Sequence, residues 1–216
     1  AMEYSGDFVF GRFNLGNLYA ALGRPQEAID SYKAAIRIDE LSYPAKVNLA
    51  VLYSELGRNP EAETLLREVV QAYPELHDAR YSLGLLLAEE KRYAEAERHL
   101  ALAAAGLPDR PRVHYNLGLL YDYLRKEREA EVALTRAVEL EPDNMDYLQA
   151  LAQCHLKRGN FAAAGRVADG AGQVADGEVA LQHADQPRQP VVLPRGVGTR
   201  VGALELDAHR EVVAAL

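Results

Sequence analysis

Residues that commonly carry out catalysis occur in this sequence without the spacing that catalysis needs. None of the six histidines has a second histidine four residues away, the spacing of a zinc-binding helix. The sequence also lacks a phosphate-binding loop, the GxSxG motif of a nucleophilic serine and the CxxCH motif of haem attachment. Its single cysteine, Cys154, stands in an apolar setting, so we expect a buried and unreactive thiol. We therefore predict no catalytic residues, no metal ligands and no cofactor.

Neighbouring carboxylates are the remaining candidates for acid–base chemistry. Glu89 stands next to Glu90, and Glu61 stands two residues before Glu63. Both pairs fall at predicted helix ends or on exposed faces, where carboxylates are solvated and keep their ordinary acidity. A general acid needs a site that moves its pKa toward neutrality. We therefore interpret these pairs as surface charge.

The overall charge and hydropathy argue against two classes of partner. The chain has 24 basic and 32 acidic residues and a net charge of −8, whereas proteins that bind nucleic acid usually carry a basic surface. No apolar run approaches the roughly 20 residues that cross a bilayer. The N-terminus has neither the basic nor the apolar region of a signal peptide. We expect a soluble cytoplasmic or periplasmic protein that binds another protein or a peptide, with homo-oligomerisation left open.

The most regular feature of the chain is a repeat of 34 residues. The segments 14–19, 48–53, 82–87 and 116–121 align without insertions, and a fifth copy begins at residue 150. A small residue recurs at Ala28, Ala62, Ala96, Ala130 and Ala164. A bulky residue recurs at Tyr32, Leu66, Leu100 and Leu134. Repetition at this period is typical of stacked helix pairs.

Each repeat contains two amphipathic stretches with apolar residues at helical spacing. In the second repeat they cover about 43–56 and 60–72, on either side of Gly57-Arg58-Asn59-Pro60. We expect Gly57 to end the first helix in a left-handed conformation and Asn59 to cap the second. Gly159-Asn160 is expected to act in the same way in the fifth repeat. One helix pair cannot bury its apolar face alone, but stacked pairs can.

The linked columns resemble the tetratricopeptide repeat (TPR), which runs Leu-Gly, Tyr, Ala, an aromatic residue or Leu, Ala, and a closing Pro. The closing proline stands at Pro74, Pro108 and Pro142, while the usual tryptophan column is missing. The resemblance covers roughly 9–164. It implies an all-α fold, a right-handed superhelical solenoid of antiparallel helix pairs with four full repeats and a partial fifth. The predicted repeats are 9–42, 43–76, 77–110, 111–144 and 145–164.

Composition changes near Gly165, and we predict a domain boundary there. All 16 aromatic residues lie at or before Phe161, whereas the last 52 residues hold 7 of the 16 glycines. Residues 1–8 are predicted to be a leader that includes part of a tag. In the weakly patterned tail, 165–216, short elements are predicted at 178–184 (helix), 191–193 and 201–206 (strands) and in a last turn to Leu216. The tail is either an out-of-frame or vector-derived extension, or a genuine extension that folds over the last repeat or into a groove.

The resemblance also implies a concave groove lined by the first helix of each repeat. Its sixth positions here hold Asn14, Asn48, Ser82, Asn116 and Ala150. Asparagine offers the donor and the acceptor that match a peptide unit. The column is similar to the asparagine ladder with which the repeat domain of the O-linked N-acetylglucosamine transferase grips peptide backbones. The predicted groove residues are Asn14, Asn17, Asn48, Ser82 and Asn116, the aromatic residues Phe13, Tyr81 and Tyr115, and Arg112.

Other interpretations of these columns stay open. The asparagines can bond instead to neighbouring helices or to water, and the aromatic residues can pack against adjacent helices. A basic column is formed by Arg12, Lys46, Arg80 and His114. It could make a stripe that favours acidic peptides, although partial burial with pairing to acids on a neighbouring helix is favoured. A carboxylate clamp like that of the family's chaperone-tail binders is not expected, since only Arg112 fits its pattern.

The function that these expectations favour is a non-catalytic scaffold that binds an extended peptide in its groove. One alternative is the repeat segment of a larger enzyme or of a bacterial multihaem cytochrome, since similar arrays are attached to both. Another is a self-assembling module, in which the tail or end helix of one molecule enters the groove of a second.

Overall fold

The structure, a computed structural model, describes residues 2–172. Within these residues the chain forms ten α-helices and no strand. Their bounds are α1 Met2–Ala21, α2 Pro25–Ile38, α3 Tyr43–Glu55, α4 Asn59–Ala72, α5 His77–Glu89, α6 Tyr93–Gly106, α7 Pro111–Tyr123, α8 Glu127–Leu140, α9 Met145–Lys157 and α10 Phe161–Gly172. Each repeat therefore supplies a first and a second helix, and the predicted all-α array of helix pairs is confirmed. In the second repeat the predicted helix bounds are correct to within one residue.

The Cα positions fall into two compact units, and the division lies within α5, after Leu86. In the first unit α1 packs on α2, α2 on α3 and α3 on α4, and the first helices α1 and α3 also touch. In the second unit the same order runs from α6 to α10, and the first helices α7 and α9 touch. Within each unit, helices therefore contact their neighbours in sequence, and the first helices also contact each other.

The small-residue columns lie where the two helices of a pair approach most closely. The alanines at 28, 62, 96 and 130 have no exposed surface. A Cβ added to Gly16 would lie 2.5 Å from ring atoms of Tyr32, and one added to Gly118 would lie 2.7 Å from Cγ of Leu134. In the first and fourth repeats the bulky residue of the second helix therefore packs directly onto the glycine of the first helix, and the second repeat holds the small, buried Ala50 at the same position.

The turn between the two helices of each pair uses a left-handed residue at the same repeat position. Glycine fills it at Gly23, Gly57 and Gly159, with φ of 67°, 74° and 71°. The third and fourth repeats hold Lys91 and Arg125 there instead, both at φ 63°. The prediction for Gly57 is confirmed. The repeat forces the same conformation on residues with a Cβ, for which it is costly.

The predicted capping role of Asn59 is wrong. Helix α4 begins at Asn59 itself, and its N-cap is Arg58, which makes no side-chain cap bond. The guanidinium of Arg58 instead bonds to Glu61 and lies over the ring of Tyr53. In the fifth repeat the expectation holds, because Asn160 accepts a bond from the backbone N–H of Ala163 at 3.3 Å.

Two predicted domain boundaries fall inside helices. Helix α1 begins at Met2, within the predicted leader 1–8, and α10 continues past Gly165 to Gly172. The divisions at 8 and 165 stay predictions drawn from composition and repeat length. The elements predicted at 178–184, 191–193, 201–206 and toward Leu216 lie outside the described residues.

Candidate peptide-binding groove

In the first unit, the predicted groove face contains a hydrogen-bond network that joins two first helices. The Oδ1 atom of Asn17, on α1, accepts bonds from the Tyr32 hydroxyl at 2.7 Å and from Nδ2 of Asn48, on α3, at 2.8 Å. Burial raises the pKa of Tyr32 to about 12, so its hydroxyl stays protonated and donates at neutral pH. The alternative that the asparagines bond to neighbouring helices therefore holds for Asn17 and Asn48.

This network leaves part of each amide unused. The NH2 group of Asn48 bonds to Asn17 and also interacts with the Tyr32 hydroxyl, whereas the carbonyl of Asn48 and the NH2 group of Asn17 have no partner among the described residues. Asn14, one turn earlier on α1, is half-buried and has no hydrogen-bond partner among the described residues. Beside it, the ring of Phe13 lies 6.5 Å from Phe10 and 6.2 Å from Tyr32. The face thus combines amide groups with aromatic surface.

The third first helix, α5, carries the next two predicted groove residues. Ser82 is half-buried, whereas Tyr81 is 8% exposed. Tyr81 therefore offers little free surface, and the aromatic column of the prediction is more deeply packed here than at Phe13.

In the second unit the predicted residues lie on α7. The ring of Tyr115 packs 4.8 Å from that of Tyr147, which belongs to the next first helix, α9. Burial raises the pKa of Tyr115 and the charge of Asp146 raises it further, while Arg112 acts in the opposite direction. Arg112 is half-buried and Asn116 is 1% exposed. The structure thus brings Arg112 and Tyr115 together beside Tyr147 and places Asn116 deeper.

Three of the four side chains of the basic column bond to other groups of this protein, so the column does not form an open basic stripe. Nζ of Lys46 lies 2.8 Å from Glu68 on α4, which agrees with the favoured pairing to an acid on a neighbouring helix. Arg80 and His114 instead bond, at 2.8 Å and 3.0 Å, to the carbonyl oxygen of the closing proline six residues before each of them. Only Arg12, on α1, is exposed. Two members of the column thus satisfy carbonyl groups that the end of a second helix leaves open.

The residues considered for catalysis are buried or paired. Cys154 is buried in the core of the second unit, and burial raises the pKa of its thiol. Glu61 pairs with Arg58, Glu63 with Arg67 and Glu90 with Arg92. Among the described residues no three His, Cys, Asp or Glu side chains are grouped so that they could hold a metal ion. In the same part of the chain no helix is long and apolar enough to cross a membrane.

One recurring contact was missed from the sequence. A cation from the turn lies over the tyrosine that precedes it in three repeats: Arg24 over Tyr19, Arg58 over Tyr53 and Lys126 over Tyr121. Arg24, Arg58 and Arg92 also bond to a glutamate three residues later. The signal was present as a 34-residue recurrence of arginine followed by glutamate. These contacts tie the turn to the helix pair.

Comparisons with known proteins agree with this arrangement. Family models described as tetratricopeptide repeat match residues 19–88 and 111–144. The chain is a tetratricopeptide repeat protein. The first match covers most of the first repeat, all of the second and the start of the third, and the second match covers the fourth. Membership of the family supports a role as a protein-interaction scaffold. No curated protein sequence matches this TPR protein.

Solved structures share the fold of this TPR protein at low sequence identity. The MamA chain of Desulfovibrio magneticus RS-1, from residue 41 to its end, is 24% identical with a TM-score of 0.70, over 79% of this chain and 96% of that one. PilF of Pseudomonas aeruginosa is 24% identical with a TM-score of 0.72, over 79% and 78%. YrrB is 18% identical with a TM-score of 0.65, over 81% and 90%. At these identities the likeness concerns the fold alone.

Proposed function

We propose that this TPR protein is a non-catalytic scaffold whose first-helix faces bind an extended peptide segment of a partner protein. The observation that carries the proposal is the bond between Asn17 and Asn48, because it places amide groups of consecutive first helices edge to edge. A peptide laid across α1 and α3 would meet the unused amide groups of both helices. YrrB, which shares the fold, is described as a TPR protein with an unusual peptide-binding site.

The chemistry of the face suits backbone recognition. The free carbonyl of Asn48 matches the N–H of a peptide unit, and Asn14, on the neighbouring first helix, offers both a donor and an acceptor. Contacts to the backbone do not read side chains, so they tolerate many sequences. Selectivity would then come from apolar contact with Phe13 and with Phe10, which is 53% exposed.

In the second unit the same role falls to Arg112 and Tyr115. The guanidinium of Arg112 can donate hydrogen bonds to a carboxylate or a backbone carbonyl of the ligand, and the Tyr115 ring provides a rigid amphipathic surface. Asn116 is nearly fully buried, whereas Arg112 and Tyr115 are half-buried, so the contribution of Asn116 to peptide binding is measured separately. Each unit is therefore tested by its own variants.

The test begins with peptides selected from a displayed library of extended 12-residue sequences, measured by calorimetry against the whole chain. Replacing Asn14 and Asn48 by Ala should weaken every selected peptide by about five- to 150-fold, because each amide contributes about 0.5–1.5 kcal/mol. The loss should be similar across sequences and nearly independent of salt, since no charge is removed. Gln71→Ala, an uncharged change on exposed α4 surface, serves as the matched control.

Unfolding is measured on the same variants, because Asn48 also bonds to Asn17. We expect the double variant to lose about 0.5–1.5 kcal/mol of unfolding free energy and to remain folded. Normal peptide affinity in a folded double variant would contradict the proposal and leave the amide network with a purely structural role. Asn116→Ala and Arg112→Ala, measured singly, assign the contribution of the second unit.

A further inference from the structure

A shallow pocket of about 410 Å³ opens on the first unit between α2, α3 and α4, away from the predicted groove residues. Lys33, Ile36 and Arg37 of α2 form one wall, Leu65 belongs to the α4 wall, and Leu49 and Tyr53 of α3 lie at the bottom. We propose that this pocket is a second binding site, which accepts an acidic peptide segment carrying one large apolar side chain. The site lies beyond the proposed peptide groove and does not depend on it.

The bottom of the pocket is apolar and fixed. Leu49 and Tyr53 are 2% and 4% exposed, so they belong to the core and keep their positions when a ligand enters. Ile36 and Leu65 are half-buried on opposite walls. An apolar side chain that enters between them is removed from water on both of its faces. This removal of apolar surface from water is the main source of favourable binding at such sites.

The rim carries a surplus of positive charge on a chain whose net charge is −8. Lys33 and Arg37 are exposed and form no ion pair with any described residue, and Nζ of Lys33 lies 5.9 Å from the centre of the Tyr53 ring. The only acid among the lining residues, Glu61, already bonds to Arg58 at 2.7 Å. The charge of Lys33 also acts on Glu61, but the two form no ion pair. An incoming carboxylate would therefore find, next to an apolar cavity, two cations that are in no ion pair with a described residue.

The shape of the pocket favours a peptide over a free small molecule. A small-molecule site normally encloses most of its ligand, whereas this pocket is open to solvent along one side. An open pocket of this volume suits one side chain that projects from a chain lying across the surface. Acidic residues beside that side chain would then reach Lys33 and Arg37, which stand one helical turn apart on α2.

The basic pair is particular to the first repeat. The column of position 33 reads Lys33, Arg67, Ala101 and Thr135. The column of position 37 reads Arg37, Gln71, Ala105 and Glu139. Of these second helices, only α2 carries a basic residue in both columns. The stacking of repeats therefore does not require the pair Lys33 and Arg37.

The test uses the whole chain and three fluorescein-labelled, end-blocked hexapeptides in anisotropy titrations at low salt. The first is Asp-Glu-Glu-Phe-Glu-Asp, the second replaces its Phe by Ala, and the third replaces its acids by the corresponding amides. We expect the first to bind at least tenfold more tightly than either of the others. No binding of the first peptide at millimolar concentration would overturn the proposal.

Variants then place the binding at the pocket. The double variant Lys33→Glu with Arg37→Glu should weaken the first peptide at least tenfold, and Leu65→Trp, which fills the cavity from a half-buried position, should do the same. Arg98→Glu with Arg128→Glu makes the same charge change on exposed positions of the second unit and should leave the affinity unchanged. Equal weakening by the two charge-changing pairs would show attraction to net charge alone and overturn the proposal. The Asn14 and Asn48 double variant should bind the peptide normally, which separates this site from the groove.

Discussion

At the residue scale, the clearest departure from the repeat pattern is the left-handed turn position. Glycine occupies it at three of the five turns, and Lys91 and Arg125 occupy the other two. A side chain with a Cβ in this region costs roughly 1–2 kcal/mol. Both residues are exposed, so no buried contact of their side chains compensates for the strain.

We predict that Lys91→Gly stabilises the protein. Glycine removes the Cβ clash but adds freedom to the unfolded chain, so the net gain in unfolding free energy should be about 1 kcal/mol. Urea denaturation followed by circular dichroism measures it. Lys91→Ala is the matched control, because it removes the long side chain and keeps the Cβ, and it should bring no gain. If Lys91→Ala stabilised as much as Lys91→Gly, side-chain charge rather than backbone strain would be the cause.

The basic column also shows, at the residue scale, that the type of a side chain does not determine which group it bonds to. Lys46 reaches a carboxylate, whereas Arg80 and His114 reach backbone carbonyl groups at the ends of the preceding second helices. The first repeat has Glu40 where later repeats have the closing proline. The partner therefore changes along the column although the position of the base in the repeat does not.

At the element scale, the contact between the two helices of a pair depends on the small residue of the first helix. Gly118 faces Leu134, and a Cβ there would lie 2.7 Å from Cγ and 3.2 Å from the backbone nitrogen of Leu134. Because one of these atoms belongs to the backbone, a side-chain rotation of Leu134 relieves only part of the crowding. The pair α7–α8 can accept a larger residue only by moving apart.

We predict that Gly118→Leu is strongly destabilising. Overpacking of this kind typically costs about 1–3 kcal/mol or more, and separating the two helices would add to it. Thermal melting followed by circular dichroism should show a lower midpoint. Gly11→Leu is the matched control, since a Cβ at Gly11 on α1 meets nothing within 4 Å. Identical melting of the Gly118 variant and the parent would contradict the close approach of α7 and α8.

At the scale of the whole molecule, stability should be distributed over neighbouring helices. Within each unit, helix contacts run between consecutive elements and between successive first helices. In such an architecture the free energy is close to a sum of repeat and nearest-neighbour contributions. The last described helix, α10, packs on α9 and ends at Gly172.

We therefore predict that a chain ending at residue 175 keeps its helical circular dichroism and melts cooperatively. The helix pairs through α9 and α10 have their partners within that length, so no described contact is removed. Comparison of the two melting curves, at equal concentration, measures the effect. Loss of both helicity and cooperativity would show that residues after 175 are required for the fold.

The sequence by itself determined the repeat, the helix pairs and the packing columns of this protein. These features depend on local signals, namely apolar spacing at the helical period, glycine at turns, and small residues where backbones approach, and each is repeated every 34 residues. The columns at Ala28 and Tyr32 could therefore be assigned to the core, and the helix bounds of the second repeat came within one residue. Asn59 was misassigned because the turn places the N-cap one residue earlier than its composition suggests.

Only the tertiary structure decided which side chains meet. The bond between Asn17 and Asn48 joins residues 31 positions apart on two helices, and it depends on the angle and separation of those helices rather than on either residue type. The pocket beside Lys33 and Arg37 likewise depends on how three helices pack, because its lining residues come from α2, α3 and α4. Spacing along a chain fixes the face on which a residue lies, but the geometry between helices decides whether two faces leave a hydrogen bond, an ion pair or a cavity between them.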